Sequence, residues 1–160
     1  MGVVGIARTA HKFSKYGKMG GVFARLVKSV NRLVYACDIA FQVDIPESTY
    51  FPHSALGVVI HPSVQIGEEC VICQNVTIGQ LANSKRINTG EIRNKHIERG
   101  LAPTIGNNVF IGAGAVIIGG IMIGNNVAIG ANAVVIDDIP DNAIAAGVPA
   151  EVKRFMKDSV

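Results

Sequence analysis

Aliphatic residues recur every six positions through two long stretches of this 160-residue chain, and this period constrains the fold more than any other feature. A period of six matches neither the 3.6-residue period of a helix nor the two-residue alternation of a long strand. It predicts short strands joined by tight corners, stacked so that each coil buries its aliphatic residues against the next. Apolar and mostly small residues also fill the fifth place of each hexad. The residues that open the hexads are Ile60, Ile66, Ile72, Ile78, Ile105, Ile111, Ile117, Ile123, Ile129 and Val135.

The composition suits a narrow aliphatic core in one domain with a short extension. Hydrophobic residues make up 49% of the chain and aromatic residues 6%. No apolar run reaches the ~18 residues that span a membrane, and no signal-peptide pattern opens the sequence. Three cysteines do not suggest a disulfide framework, and Cys70 occupies an inward fifth place where it packs as a small hydrophobe. We therefore expect reduced cysteines, no metal site and a cytoplasmic location.

Composition divides the chain into residues 1–43 and residues 44–160. The first segment carries seven Lys or Arg and one acidic residue, Asp38. Its apolar residues follow helical spacing from Phe23 to Phe41, which predicts an amphipathic helix of about five turns, preceded by a basic arm over residues 1–19. The second segment holds the two blocks of coils, an extruded loop over residues 80–103 where the hexads stop, and an exit tail over residues 143–160. Long loops in compact repeats are usually functional.

The basic N-terminal segment has two interpretations. The net charge of the chain is only +3, which favours an ordinary solvated helix face. The alternative is a peripheral contact with an anionic surface at the inner face of a membrane. Nucleic-acid binding is not expected, because the segment has no interleaved aromatic residues and no recognisable motif.

The closing stretch Ile129–Val135, the pair Ile139-Pro140 and the exit Ala146–Ala150 are similar to the last coil of hexapeptide-repeat acyltransferases. This resemblance, which covers roughly Asp44 to Arg154, implies a mainly β fold: a left-handed parallel β-helix with three hexads in each coil. The left hand comes from the family, since general crossover rules favour the opposite hand. The resemblance also implies transfer of an acyl group from acetyl-CoA to a hydroxyl or amine, in a homotrimer that closes the site.

The stretch from Asp44 to Val59 resembles the active-site coil of serine acetyltransferases. There, a histidine shortly before Gly-(Val/Ile)-Val is the general base, and an earlier aspartate orients it. The resemblance thus assigns His53 as the base and Asp44 as its orienting carboxylate. The gap between these two residues is one hexad shorter than in that pattern. The alternative role for His53 is to cap the first coil beside Pro52.

The same resemblance assigns a binding site for CoA. Backbone groups at Ala113 and Ala131 would meet the pantetheine amides, and Arg154, with Lys153 beside it, would meet the nucleotide phosphates. Glu151 stands where the family often has arginine, which predicts a weaker phosphate contact. The alternative role for the two alanines is simple repeat packing.

The acceptor is the least determined part of the function. Leu101-Ala102-Pro103 stands where serine acetyltransferases carry Arg-His before proline, so no arginine is in place to clamp a serine carboxylate. The N-terminal segment is also too short for their long helical domain. The short spacing up to His53 instead resembles O-acetyltransferases of polysaccharide and cell-surface glycan pathways. We therefore expect acetyl transfer to a sugar or glycan precursor, with serine O-acetylation in cysteine biosynthesis as the alternative. A metal protein of the γ-carbonic-anhydrase kind, or a scaffold, is the third interpretation.

Overall fold

Two α-helices precede a parallel β-helix in this protein, whose computed structural model describes residues 3–81 and 100–156. Helix α1 spans Val3–Ser14 and helix α2 spans Gly17–Tyr35. The expected basic arm is therefore helical where it is described, and α2 begins earlier than the sequence predicted. It also ends earlier, because Ala36 adopts a left-handed conformation (φ 51°) that terminates the helix. Cys37 and Phe41, which continue the helical spacing, lie beyond that end. None of the described helices is long and apolar enough to cross a membrane.

Short strands, with a tight left-handed turn (Pro52–Ala55) after the first, follow the two helices. They form three sheets, which we call faces A, B and C. Face A contains β1, β2, β5, β8 and β11; face B contains β4, β7, β10, β12 and β13; and face C contains β3, β6 and β9. The strands are β1 (Asp38–Ile39), β2 (Val59–Ile60), β3 (Gln65–Ile66), β4 (Val71–Ile72), β5 (Thr77–Gly79), β6 (Thr104–Ile105), β7 (Phe110–Ile111), β8 (Val116–Ile118), β9 (Met122–Ile123), β10 (Ala128–Ile129), β11 (Val134–Val135), β12 (Ala143–Ala146) and β13 (Glu151–Phe155).

Successive coils stack their aliphatic residues directly on one another. On face A, Ile60 pairs with Ile78, Ile78 with Ile117, and Ile117 with Val135, all in parallel register. The residues that open the hexads are buried, except Ile66, which is partly buried. Each fully buried aliphatic side chain contributes about 1.5–3 kcal/mol relative to an exposed one. The prediction of a parallel β-helix with a ladder-like core is confirmed; its handedness remains a prediction.

Asparagines form the corners between faces C and B. Asn108 and Asn126 adopt left-handed conformations with φ of 52° and 54°, which asparagine tolerates better than most residues. The preceding residues form what we call the asparagine ladder, Asn107, Asn125 and Asp141. In it, the backbone N–H of Asn107 donates to Asn125 Oδ1 (2.9 Å), and that of Asn125 donates to Asp141 Oδ1 (2.7 Å). These Asn-Asn pairs lie at the tight corners that the six-residue period predicts.

The β-helix begins one hexad earlier than the predicted boundary at Asp44. Strand β1 at Asp38–Ile39 pairs with β2 at Val59–Ile60, so the first coil starts at Asp38. Most of the expected extruded loop, residues 82–99, lies outside the described residues. The strands on either side of it are nevertheless in continuous register, because β6 pairs directly with β3. The exit tail contains β12 and β13, and β13 is the antiparallel strand on face B.

Candidate active site

His53 lies on a strained corner of the first coil, between Phe51 on face B and Val59 on face A. His53, Ser54 and Ala55 all have left-handed backbone conformations, with φ of 52°, 56° and 56°. Such a conformation costs a residue other than glycine about 1–2 kcal/mol. Three in succession are retained only where the surrounding structure enforces them, and such strain clusters at functional sites.

The next coil holds this corner in place. The backbone N–H of Asn75 donates to the carbonyl oxygen of Leu56 (2.8 Å). Gly57 has φ of 68°, and a Cβ at that position would collide with Asn75 Oδ1. Ala55 points inward and is fully buried, whereas His53 and Ser54 are exposed. The corner therefore anchors one side chain in the core and presents the other two to solvent.

His53 lines an open groove of about 410 Å³ between helix α1 and the first coil. The other lining residues are Val4, Arg8, Thr49, Tyr50, Phe51 and Ser54. Thr49 Oγ1 is buried here and has no hydrogen-bond partner in the described part of the chain. An unpaired buried hydroxyl is uncommon in proteins and is one sign of a functional cavity.

Arg8 fixes α1 to the first coil beside this groove. Its Nε donates to the carbonyl oxygen of Ile45 (3.1 Å), and its Nη2 donates to those of Pro46 (2.5 Å) and Thr49 (3.0 Å). A guanidinium presents its donors in a rigid plane, so several carbonyls gathered on it also become fixed relative to one another. The segment leading to His53 is thus held by the first helix.

Asp44, the predicted partner of His53, lies on another side of the coil. It follows β1 by one corner, toward face C, and lines two grooves, one with Arg8 and His11 and the other with Gln65. Neither groove includes His53. Within the described residues, Asp44 and His53 share no hydrogen bond, so their pairing stays a prediction.

Asp38 is a carboxylate that the sequence interpretation passed over. It precedes Asp44 by one hexad, which restores the spacing expected between the aspartate and the histidine. Its backbone N–H donates to the carbonyl oxygen of Val58 (2.8 Å), at the end of the His53 corner. Its side chain is 28% exposed and pairs with Lys28 Nζ at 2.7 Å. The Asp-Ile dipeptide occurs twice, at residues 38–39 and 44–45, and this repeat could have indicated that a hexad begins before Asp44. The helical spacing that continues through Cys37 obscured it.

Ala113 and Ala131 lie on the same edge of the β-helix as His53. This edge, where face B turns into face A, comprises residues 52–57 in the first coil and Ala113, Ala131 and Gly147 in later coils, and we call it the His53 edge. The backbone N–H of Asn132 donates to the carbonyl oxygen of Ala113 (2.9 Å), but the N–H groups of Ala113 and Ala131 donate no hydrogen bond among the described residues. Both amides are therefore available to a ligand. With strands about 4.8 Å apart, the two alanines lie about 10 and 14 Å along the edge from His53.

Lys153 lies near the far end of the His53 edge, and Arg154 follows it on β13. A Cβ built on Gly147 would lie 4.0 Å from Lys153 Nζ. Lys153 also pairs with Glu151 Oε2 at 3.0 Å, which offsets part of its positive charge. Arg154 is exposed and in register with Ile144 of β12. The structure thus places His53, the two alanines and Lys153 along one edge, and their roles stay predictions.

The cysteines show no sign of a metal site. Burial raises the pKa of the Cys70 thiol, which is fully buried, and this opposes formation of the thiolate that metals require. In the part of the chain that the structure describes, no group of three or more His, Cys, Asp or Glu side chains is placed to hold a metal ion.

Two family models match the coils. The model of bacterial transferase hexapeptides (six repeats) matches residues 102–137, and that of the hexapeptide repeat of succinyl-transferase matches residues 56–80. A serine acetyltransferase of Helicobacter pylori is 33% identical over 153 residues, which are 96% of this chain and 77% of that protein. This chain belongs to the hexapeptide-repeat acyltransferases.

Several of its relatives within that family are named serine acetyltransferases. The enzyme of Synechococcus elongatus is 35% identical over 131 residues, 82% of this chain and 48% of that protein. The structure of the Brucella abortus enzyme in complex with coenzyme A superposes with a TM-score of 0.81 at 27% identity, covering 98% of this chain and 56% of that one. This chain thus spans about half the length of several relatives that it matches.

These relatives contradict the predicted sugar or glycan acceptor and the associated role in polysaccharide biosynthesis. Homologues at about 35% identity are named for serine, which was the alternative interpretation. The prediction gave too much weight to Leu101-Ala102-Pro103 and to the short N-terminal segment. The spacing between the aspartate and His53 was also counted from Asp44, whereas the coils begin at Asp38.

Proposed function

We propose that this acyltransferase transfers the acetyl group of acetyl-CoA to the hydroxyl of serine. The observation that carries the proposal is the common placement of His53, the two free amides and Lys153 along one edge. The names of the relatives supply the acceptor. Because the chain spans only part of several of those relatives, the activity of the whole protein is part of the proposal.

His53 is proposed as the general base. In its neutral form the imidazole accepts the proton of the serine hydroxyl while the oxygen attacks the thioester carbonyl. The C–S bond then breaks, and the thiolate of CoA leaves and takes up a proton. The free N–H groups of Ala113 and Ala131 are proposed to bind amides of the pantetheine arm, and Lys153 with Arg154 to bind phosphate.

Thiol release from acetyl-CoA, measured with L-serine and with a panel of sugars, tests this function. The His53→Asn variant is the informative one, because asparagine tolerates the left-handed conformation of the corner but cannot act as the base. We expect turnover with serine, and a loss of about 10²- to 10⁴-fold in kcat in the variant, the usual contribution of a general base.

His61→Ala is the matched control, because it removes a histidine from another corner of the coils and should leave kcat unchanged. Unchanged turnover in His53→Asn would show that His53 is not the general base and only caps the first coil. An absence of both turnover and acetyl-CoA binding would refute the proposed function.

Asp38 is proposed as the carboxylate that positions His53, with Asp44 as the competing candidate. Asp38 has the expected spacing and bonds to the end of the His53 corner, whereas Asp44 faces other grooves. We expect Asp38→Asn to lower kcat at least tenfold with little change in the KM for acetyl-CoA, and Asp44→Asn to change neither.

Lys28→Gln is the control for this comparison, because it breaks the same ion pair but keeps the carboxylate. If Asp44→Asn lowers kcat and Asp38→Asn does not, the original assignment of Asp44 is restored.

We also propose a homotrimer. The outward residues of face B include Tyr50 and Phe110, both exposed, and Val59 is exposed on face A. Face C presents Gln65 and Thr104, with one exposed apolar residue, Met122. Two apolar faces that meet at the His53 edge suit a closed cyclic assembly in which subunits share that edge. Sedimentation velocity should give a trimer that Phe110→Asp dissociates.

Two remaining expectations are proposals as well. We propose a left-handed course for the coils, supported by the family to which the chain belongs. We further propose a cytoplasmic location, supported by the free cysteines Cys37, Cys70 and Cys73.

A further inference from the structure

The two helices expose a continuous set of large apolar side chains. On α2 these residues lie on one side of the helix, and Phe13 and Tyr16 extend the set at the end of α1. The ring centroids of Phe13 and Phe23 are 5.1 Å apart, so the aromatic residues form one cluster across both helices. We call this set the helical apolar face; it comprises Phe13, Tyr16, Met19, Val22, Phe23, Leu26, Val30, Leu33 and Val34.

The opposite side of α2 already makes the contacts that the fold requires. Ala24 is fully buried, Asn31 is 4% exposed, and Lys28 pairs with Asp38 at the start of the coils. Leu33, by contrast, is 88% exposed. Within the described residues, nothing covers the helical apolar face. Contiguous apolar surfaces of this kind usually mark an interaction site.

Charge restricts what can cover this face. Residues 1–36 contain seven Lys or Arg and no Asp or Glu. Lys12, Lys15, Arg25 and Arg32 are exposed, and the first acidic residue, Asp38, is already paired with Lys28 (2.7 Å) and lies 3.8 Å from Arg32. A second copy of this face would oppose one basic region to another, which is unfavourable. The complementary partner is both apolar and anionic.

We propose that the helical apolar face docks on an anionic lipid surface. Helix α2 lies flat in the interface, with Leu26 and Leu33 at the acyl boundary and Arg25 and Arg32 among the headgroups. Seven of the nineteen residues of α2 belong to the face. This stripe is wider than the two-in-seven seam that a single partner helix requires. Tyr16 adds an aromatic residue of the kind enriched at membrane interfaces.

Co-sedimentation of the full chain with vesicles tests the proposal independently of catalysis. Vesicles of phosphatidylcholine alone are compared with vesicles containing one third phosphatidylglycerol. We expect binding to the anionic vesicles only. Each headgroup cation contributes about 1 kcal/mol, so Arg25→Gln with Arg32→Gln should weaken binding about thirty-fold. Leu26→Ser with Leu33→Ser should abolish it, and both pairs lie on the exposed surface and should retain the native thermal midpoint.

Matched controls remove similar groups from the coils. Met122→Ser removes an exposed apolar side chain from face C, and Lys153→Gln with Arg154→Gln removes two charges from β13; neither should change vesicle binding. Equal binding to neutral and anionic vesicles would overturn the proposal, as would controls that weaken binding as much as the helix variants. Absence of binding to either vesicle would overturn it too. In that case, an oligomer that Leu26→Ser with Leu33→Ser dissociates would assign the face to a second copy.

Discussion

The coils bury their apolar residues, whereas the two helices expose many of theirs. In the coils, the aliphatic residues that open the hexads face inward, and Ile72, Ile78 and Ile117 are fully buried. In α2, most of the residues that make the helix amphipathic face away from the coils. The described fold thus accounts for the periodicity of the coils, whereas nothing within it covers the apolar side of α2. An amphipathic pattern predicts that a face will be covered but does not identify what covers it.

The largest expected contrast is in the free energy of unfolding. Ile117→Ala opens a cavity in the middle of the ladder on face A and should cost about 2–5 kcal/mol. Leu33→Ala, on the helical apolar face, should change stability by less than about 0.5 kcal/mol. Urea denaturation of both variants measures the difference. A similar loss of stability in Leu33→Ala would show that the helical apolar face is covered in solution. The contrast between buried coils and exposed helices would then be wrong.

Replacing a glycine by alanine should have opposite effects on stability in the coils and in α2. A Cβ at Gly112 would lie 2.6 Å from the backbone N of Ala131, so Gly112→Ala must push two coils apart and should cost about 1–3 kcal/mol. A Cβ at Gly21 of α2 would meet nothing within 4 Å, and alanine is the better helix former. Gly21→Ala should therefore stabilise by about 0.5–1 kcal/mol. Thermal unfolding midpoints that move in the same direction for both variants would contradict this account.

The smallest expected effect concerns the asparagine ladder. Asp141→Ala removes the acceptor of the Asn125 backbone N–H at an exposed corner, and should cost about 1 kcal/mol. Asp141→Asn keeps an acceptor oxygen and should recover most of that loss. Equal destabilisation by the two variants would indicate that the negative charge, rather than the hydrogen bond, stabilises the corner.

The sequence predicted the coils well because each hexad repeats one local rule. The inward positions, the Asn-Asn corners and the stacking of Ile60, Ile78 and Ile117 all follow from that period. The start of the β-helix could not be placed, because the helical spacing continues through Cys37 and Phe41 and so overlaps the first strand, Asp38–Ile39. That overlap hid Asp38 and led the spacing before His53 to be measured from Asp44. The sequence interpretation also included no sign of the left-handed conformation at Ser54 and Ala55, which depends on Asn75 in the next coil.

The register of the coils has a consequence for how such proteins change over evolutionary time. Thr77 pairs directly with Val116, and Gln65 with Thr104, as though the intervening residues 82–99 were not there. New sequence can therefore be added or removed at that point without disturbing any rung of the ladder. One full coil takes eighteen residues from Val59 to Thr77, whereas the first takes twenty-one from Asp38 to Val59 and the last takes sixteen from Ala128 to Ile144. The parallel pairing thus tolerates small differences in coil length at the corners and a much longer excursion between β5 and β6, while the strands keep their register.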